Sequence, residues 1–319
     1  MPRRNSKLQL EGLNPRSKPA CLVTGGGGFI GSALLPILCA SGWDVIATSQ
    51  TPRHPAKHEG LSWITWRAEE GGVPACDWDK LDCIIHLANP RVQSRDISEL
   101  KRQVEGGLLA TSRLLEQAAR HQVRRFVFVS TGDVVSPADG IAQETDHHYA
   151  ATSFYSAAKA SSELLVRSCA ALLSTAIVRV YHPFGPGGDD FLINRLLAAV
   201  AAGRELTTER GGGILINPIW IDDLAHGLAL AAASTATGVF HLAGPDKLRL
   251  AEFVRLAGRL LGKPVALHTS PSRPSLNHAG DCRRARRLLG WRPQMRLAAG
   301  LKKMIPSLEQ TSAVTSDQP

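Results

Sequence analysis

Tyr155 and Lys159 stand four residues apart in the run Tyr155-Ser156-Ala157-Ala158-Lys159. Helix formers follow from Ala160 to Val166, so the two side chains share one helix face, one turn apart. A free phenol has a pKa of about 10 and is a poor base at neutral pH. An ammonium fixed beside it favours the phenolate and lowers that value. Thr131 ends the apolar run that begins at Arg125 and Phe126. Its hydroxyl can hold an alcohol or carbonyl next to the phenol. The three residues suit proton transfer to or from a substrate oxygen. A half-exposed helix produces the Tyr and Lys spacing by chance, so the pair takes its meaning from what surrounds it.

The strongest surrounding pattern is Thr24-Gly25-Gly26-Gly27-Gly28-Phe29-Ile30-Gly31. The apolar run Ala20 to Val23 precedes it, and Ser32 to Leu38 follows with the apolar spacing of a helix. The stretch reads as strand, tight turn, helix. Gly25, Gly28 and Gly31 permit the turn and remove Cβ atoms where a ligand must approach the backbone. The helix then points free N–H groups at an anion, typically a pyrophosphate. In dinucleotide folds an acidic residue about 20 residues past the glycines holds the ribose 2′-hydroxyl. Here the second strand, Asp44 to Thr48, is followed by Ser49, Gln50, Thr51, Pro52 and Arg53. No carboxylate is present to repel a 2′-phosphate. Ser49 can donate to that group and Arg53 can pair with it. The pattern favours NADP over NAD as the cofactor.

Other elements must position these groups. A third strand is expected at Trp63 to Trp66, a fourth at Asp82 to Ala88 and a fifth at Arg125 to Val129. A long helical stretch, roughly Ile97 to His121, lies between the last two. Strands alternating with helices predict an α/β fold, a Rossmann-like doubly wound parallel sheet. Ligands bind such sheets beyond the carboxyl ends of the strands, where Thr131 and the glycine turn both fall.

The 319 residues can bury a full core. The hydrophobic content of 44% and charged content of 20% describe a soluble globular protein. No apolar run approaches bilayer-spanning length, and the basic N-terminus lacks the apolar segment of a secretory signal. The six cysteines show no close pairing and no CxxC. They read as reduced thiols in a cytoplasmic protein, with no metal site. The net charge of +9 is partly local to the C-terminal arginines and lysines. Without aromatic interleaving or a nucleic-acid motif it does not indicate nucleic-acid binding.

Taken together, the sequence resembles the extended short-chain dehydrogenase/reductase family, the NAD(P)-dependent nucleotide-sugar epimerases, dehydratases and reductases. Thr24 to Gly31 matches its TGxxGxxG, and His86-Leu87-Ala88 its strand-four signature. Ser130-Thr131 and Tyr155 to Lys159 match its catalytic hydroxyl and YxxxK. Arg179 to Pro186 looks like its RxxNxYGP, Asn217 to Leu224 its hVDD element, and Leu289 to Pro293 its LGWxP. The resemblance spans roughly residues 19–305. It implies that Tyr155 is the acid/base, that Lys159 lowers its pKa and holds the nicotinamide ribose, and that Thr131 orients the reacting oxygen. It implies that Gly25, Gly28, Phe29, Ile30, Gly31, Ser49, Arg53, Leu87, Ala88, Tyr155, Lys159 and Tyr181 meet the cofactor. His182 and Arg273 would meet the substrate. A dinucleotide domain is expected over residues 18–182 and 214–247, and a smaller C-terminal substrate-binding region over 183–213 and 248–308. Residues 1–17 and 309–319 are expected to be a disordered lead-in and tail. Stretches 97–121 and 154–171 are candidates for a homodimer interface.

The sequence also departs from the family. His182 replaces an asparagine, Gly107 replaces a helix asparagine, and Arg67-Ala68 replace the acidic residue facing adenine. Val135-Ser136 replace the Tyr-Gly after the catalytic hydroxyl strand. Family 4,6-dehydratases carry Asp-Glu after the catalytic threonine, where this chain has Gly132-Asp133. Dehydration is therefore disfavoured. C4 epimerisation and 4-keto reduction of a nucleotide-linked sugar both remain open, as do reduction of a non-nucleotide carbonyl and a non-catalytic NADP-sensing role.

Overall fold

The computed structural model describes residues 18–52, 58–90, 96–135, 140–146, 149–150, 152–271 and 277–316, with side chains to residue 306. Seven parallel strands form one sheet. They are β1 (Ala20–Thr24), β2 (Asp44–Ser49), β3 (Leu61–Thr65), β4 (Cys83–His86), β5 (Arg125–Thr131), β6 (Ser174–Val180) and β7 (Gly238–Leu242). Their spatial order is β7-β6-β5-β4-β1-β2-β3. The order reverses between β1 and β4, which opens a crevice at the carboxyl ends of those strands.

Both faces of the sheet are covered, which is why the strands read as apolar runs instead of alternating. In β5, Val127 and Val129 join the core built with α1 (Phe29–Ala40). Phe126 and Phe128 join the opposite core, built with α3 (Ala110–Arg120) and α4 (Phe154–Ser168). The third strand begins earlier than Trp63 because Val45 of β2 pairs with Leu61. The stretch 97–121 is not one regular helix. Between α2 (Ile97–Gln103) and α3, residues Val104–Leu109 form a π turn. A Cβ at Gly106 would lie 2.5 Å from Pro90 Cγ, so the turn brings helix backbone against the loop after β4.

The helix that carries Tyr155 is pinned at several points. A Ser153–Ser156 capping box starts α4. Glu163 pairs with Arg179 of β6, Nη2 to Oε2 at 2.8 Å and Nε to Oε1 at 3.0 Å, with both side chains fully buried. Lys159 Nζ donates to the Val129 carbonyl of β5 at 2.9 Å.

After β6 the chain builds α5 (Leu192–Ala201), α6 (Ile221–Ala233), α7 (Leu250–Leu261), α8 (Arg283–Leu288) and α9 (Leu297–Ser316). Three two-stranded sheets tie this part together, pairing 183–184 with 219–220, 215–216 with 248–249, and 206–208 with 267–269. Helix α9 reaches Ser316, into the stretch expected to be a disordered tail. Beyond Pro306 that stretch holds no helix breaker before the helix ends. The expected lead-in, 1–17, lies outside the described residues. No described helix is long and apolar enough to cross a membrane.

Candidate active site

The glycine turn runs from β1 into α1. Gly25 has φ +70°, and a Cβ there would lie 2.8 Å from the Ala88 nitrogen. At Gly31 a Cβ would lie 2.5 Å from the Gly26 carbonyl oxygen. Both positions need glycine, the first for backbone and space, the second for space alone. Gly28 precedes α1 and offers no side-chain cap, so the first N–H groups of the helix remain open to an anion. Phe29 turns its ring onto Phe191, centroids 4.8 Å apart, linking the turn to the start of α5. Ile30 packs on the core, leaving its backbone as the part available to a ligand.

A buried relay fixes the turn, and sequence reasoning touched it only through the strand-four signature. The Leu87 and Ala88 nitrogens donate to the Thr24 carbonyl and hydroxyl, both at 3.2 Å. The Gly107 carbonyl accepts from the Thr111 hydroxyl at 2.7 Å. Thr111 must then accept from His86 Nε2 at 3.1 Å, and His86 Nδ1 accepts from the Thr24 hydroxyl at 2.7 Å. The network thus assigns the ring tautomer. Burial, with help from the Lys159 charge, lowers the His86 pKa to about 3, so the relay stays neutral.

At the end of β2, Ser49 is buried and its hydroxyl donates to the Thr51 carbonyl. Without a ligand its proton goes to the backbone. Arg53 lies outside the described residues. The described cation at this edge is Arg67, whose Nε donates to the Gln50 carbonyl at 3.0 Å while Nη1 meets Glu70 at 2.8 Å.

Tyr155 is half-buried, and its phenol lies near enough to the Thr131 hydroxyl to feel it. Thr131 Oγ1 also accepts from the Asp133 nitrogen at 3.2 Å. Burial first, and then the Asp133 carboxylate, push the phenol above its ordinary pKa, against a smaller opposing pull from Thr131. The expected lowering by Lys159 is absent, because that ammonium points to the Val129 carbonyl and the face of Phe128, 4.8 Å from the ring centre. Burial brings Lys159 itself down to about 8, partly offset by Glu163.

Tyr181 follows β6 directly. It is 1% exposed, and its ring fills the space between two glycines. A Cβ at Gly132 would lie 2.3 Å from one edge of the ring, and one at Gly280 would lie 2.4 Å from the other. Its hydroxyl sits 3.4 Å from His241 Nδ1. The Tyr181 ring is a packing group, which leaves its backbone as the part available to a ligand. The same packing accounts for Gly132, since any side chain there collides with the ring.

His182 follows with φ +44°, an uncommon conformation for a side chain of this size. Burial lowers its pKa to about 4 although Asp133 pulls it upward. Its Nε2 is buried without a hydrogen-bond partner. The His182 ring lies 5.9 Å from the ring of His278. His278 Nδ1 meets Asp133 Oδ1 at 2.8 Å. Burial would raise the Asp133 carboxyl, but the hydrogen bond and charge of His278, helped by His182 and Thr131, hold it below the usual range. Sequence reasoning missed His278, a lone histidine 145 residues from its partner. Arg273 lies outside the described residues. Among the described residues, no group of three or more His, Cys, Asp or Glu is arranged to hold a metal ion.

A parallel sheet with an uncapped glycine turn at its switch point, and a Tyr–Thr pair beside it, defines a dinucleotide-binding protein of the short-chain oxidoreductase class. The model of the NAD dependent epimerase/dehydratase family matches residues 21–243. The chain belongs to that family and is an enzyme of its kind. It is 26% identical over 327 residues to dTDP-glucose 4,6-dehydratase of Neisseria meningitidis serogroup B, covering 89% of this chain and 91% of the relative. It is 23% identical over 315 residues to UDP-glucuronic acid decarboxylase 1 of Xenopus tropicalis, covering 92% and 73%. Among solved structures, MoeE5 in complex with UDP-glucuronic acid and NAD has a TM-score of 0.77 at 26% identity, over 92% of this chain and 99% of that one. UDP-glucuronic acid 4-epimerase from Bacillus cereus with NAD has a TM-score of 0.75 at 22% identity, over 91% and 96%, a likeness of fold.

Proposed function

We propose that this enzyme moves hydride at C4 of a nucleotide-linked sugar, by epimerisation or by reduction of a 4-ketone. The observation that carries this reading is the Tyr155 phenol beside the Thr131 hydroxyl at the carboxyl end of β5, on the sheet edge that holds the open turn. A bound nicotinamide dinucleotide supplies the hydride acceptor or donor. The residues that suit it are Gly25, Gly28 and Gly31 with the N-terminus of α1 for the pyrophosphate, and Leu87 and Ala88 along its side. The open N–H groups and the Cβ-free surface of the turn fit a pyrophosphate.

Thr131 holds the sugar oxygen, and Tyr155 exchanges a proton with it. The raised phenol pKa keeps that proton on Tyr155 at neutral pH. The residue therefore starts as an acid, as carbonyl reduction requires. Lys159 fixes the phenol's helix against β5, and its depressed pKa leaves a proton that it can release near pH 8. Gly132 removes one of the carboxylates used for water loss, which favours epimerisation or reduction over dehydration.

NADP is the proposed dinucleotide, because no carboxylate closes β2 and Arg67 lies against the Gln50 backbone. A homodimer through α2, α4 and the π turn is proposed from the exposed Ile97, Leu100, Leu109 and Leu164.

The test is purified protein with UDP- or dTDP-linked sugars and either dinucleotide, followed by nicotinamide absorbance and product analysis. Stoichiometric NADPH oxidation indicates reduction, and isomerisation without net redox change indicates epimerisation. Tyr155→Phe should lower turnover about 100-fold or more while the nucleotide sugar still protects the protein against heating. Full turnover in that variant refutes the assignment.

A further inference from the structure

Tyr155 and Thr131 suffice for a proton on oxygen, yet the same strand end holds a second proton-handling unit. Asp133, two residues beyond Thr131, carries a side chain that is 40% exposed, and that of His278 is 24% exposed. The Asp133 carboxylate is close enough to the Tyr155 phenol to raise its pKa.

The pair has a defined polarity. Asp133 accepts at His278 Nδ1, 2.8 Å away. In the neutral ring this places the proton on Nδ1 and leaves the Nε2 lone pair as a base. The His278 backbone is anchored by its nitrogen donating to the Leu215 carbonyl at 2.9 Å and by the bridge to Ile216. The His182 ring packs beside it, centroids 5.9 Å apart. The imidazole is thus held by Asp133 and the His182 ring, on an anchored backbone.

We propose that His278, held by Asp133, is a catalytic base that removes a proton from the sugar carbon next to a C4 ketone. This rests on the reading that the site takes a nucleotide-linked sugar. A carbonyl acidifies only the C–H bonds on its flanking carbons, and the oxygen proton already belongs to Tyr155. In the step, Nε2 takes the proton, the C–H electron pair becomes the enolate double bond, and the former carbonyl oxygen carries the charge. Thr131 and Tyr155 can hydrogen-bond that oxygen. Return of a proton from the imidazolium to the same face of the carbon restores the ketone, with exchange of that hydrogen. The cycle consumes no oxidant and loses no water. The glycine at 132 and the ring of Tyr181 leave no room for an acid to drive out a hydroxyl from that position. Asp133 acts through His278 and is a positioning residue.

The experiment supplies a UDP-linked 4-keto hexose directly to the purified enzyme in D2O. Deuterium at the carbons flanking the ketone is read by NMR and mass spectrometry, without need of hydride turnover. Incorporation above the enzyme-free rate is expected. His278→Gln should lower it at least about 100-fold, while heat protection by the keto sugar persists. His278→Ala should regain exchange with added imidazole, and Asp133→Asn should weaken exchange without abolishing protection. Protection without exchange, or undiminished exchange in His278→Gln, overturns the proposal alone. A keto sugar that gives no protection removes the nucleotide-sugar reading, and this inference with it.

Discussion

Replacing Gly132 with alanine adds one methyl carbon, and the structure fixes where it goes. The new Cβ lies 2.3 Å from Tyr181 Cε1 and 2.6 Å from Cδ1. Ordinary carbon contacts begin near 3.5 Å, so the overlap is about 1.2 Å. The ring has nowhere to retreat, because Gly280 backs its other edge with equal closeness and His241 meets it edge-on at 5.2 Å. Overpacking of a closed site typically costs about 1–3 kcal/mol, and this closed geometry puts Gly132→Ala near the upper figure. Urea denaturation with linear extrapolation measures it. A cycle with Tyr181→Leu isolates the cause, since the alanine should cost far less once the ring is gone. A loss within about 0.5 kcal/mol of the wild type, or an additive cycle, refutes the argument. It would also remove the explanation for why glycine stands directly after Thr131.

Two further outcomes follow from buried charge. Glu163→Ala strands Arg179 inside the protein and should cost about 3–5 kcal/mol, whereas replacing both partners with apolar residues should recover most of that loss in the same denaturation assay. Lys159 has a folded pKa of about 8 against an ordinary 10.5. Between those values the unfolded chain binds more protons than the folded one, so this residue makes stability rise with pH across that window. Below about 8 both states are charged and its burial cost acts in full. Lys159→Met should remove the rise, and an unchanged slope between wild type and variant would refute the burial argument.

The strand, turn and helix around Gly25 were legible because backbone geometry there demands glycine and the flanking periodicities are local. The Tyr155 helix was legible for the same reason. What escaped was set by partners distant in sequence. The Lys159 spacing placed it one turn from Tyr155, while the β5 carbonyl decided where its ammonium goes. Tyr181 sits at a strand end, where sequence does not say which side of the sheet it enters, and the glycines at 132 and 280 decided that. His278 carries no local signature at all.

That histidine arrives late along the chain. Closing a longer loop costs more conformational entropy, and contacts of large sequence separation form slowly. A partly assembled molecule can therefore possess its glycine turn and its phenol before the imidazole reaches Asp133.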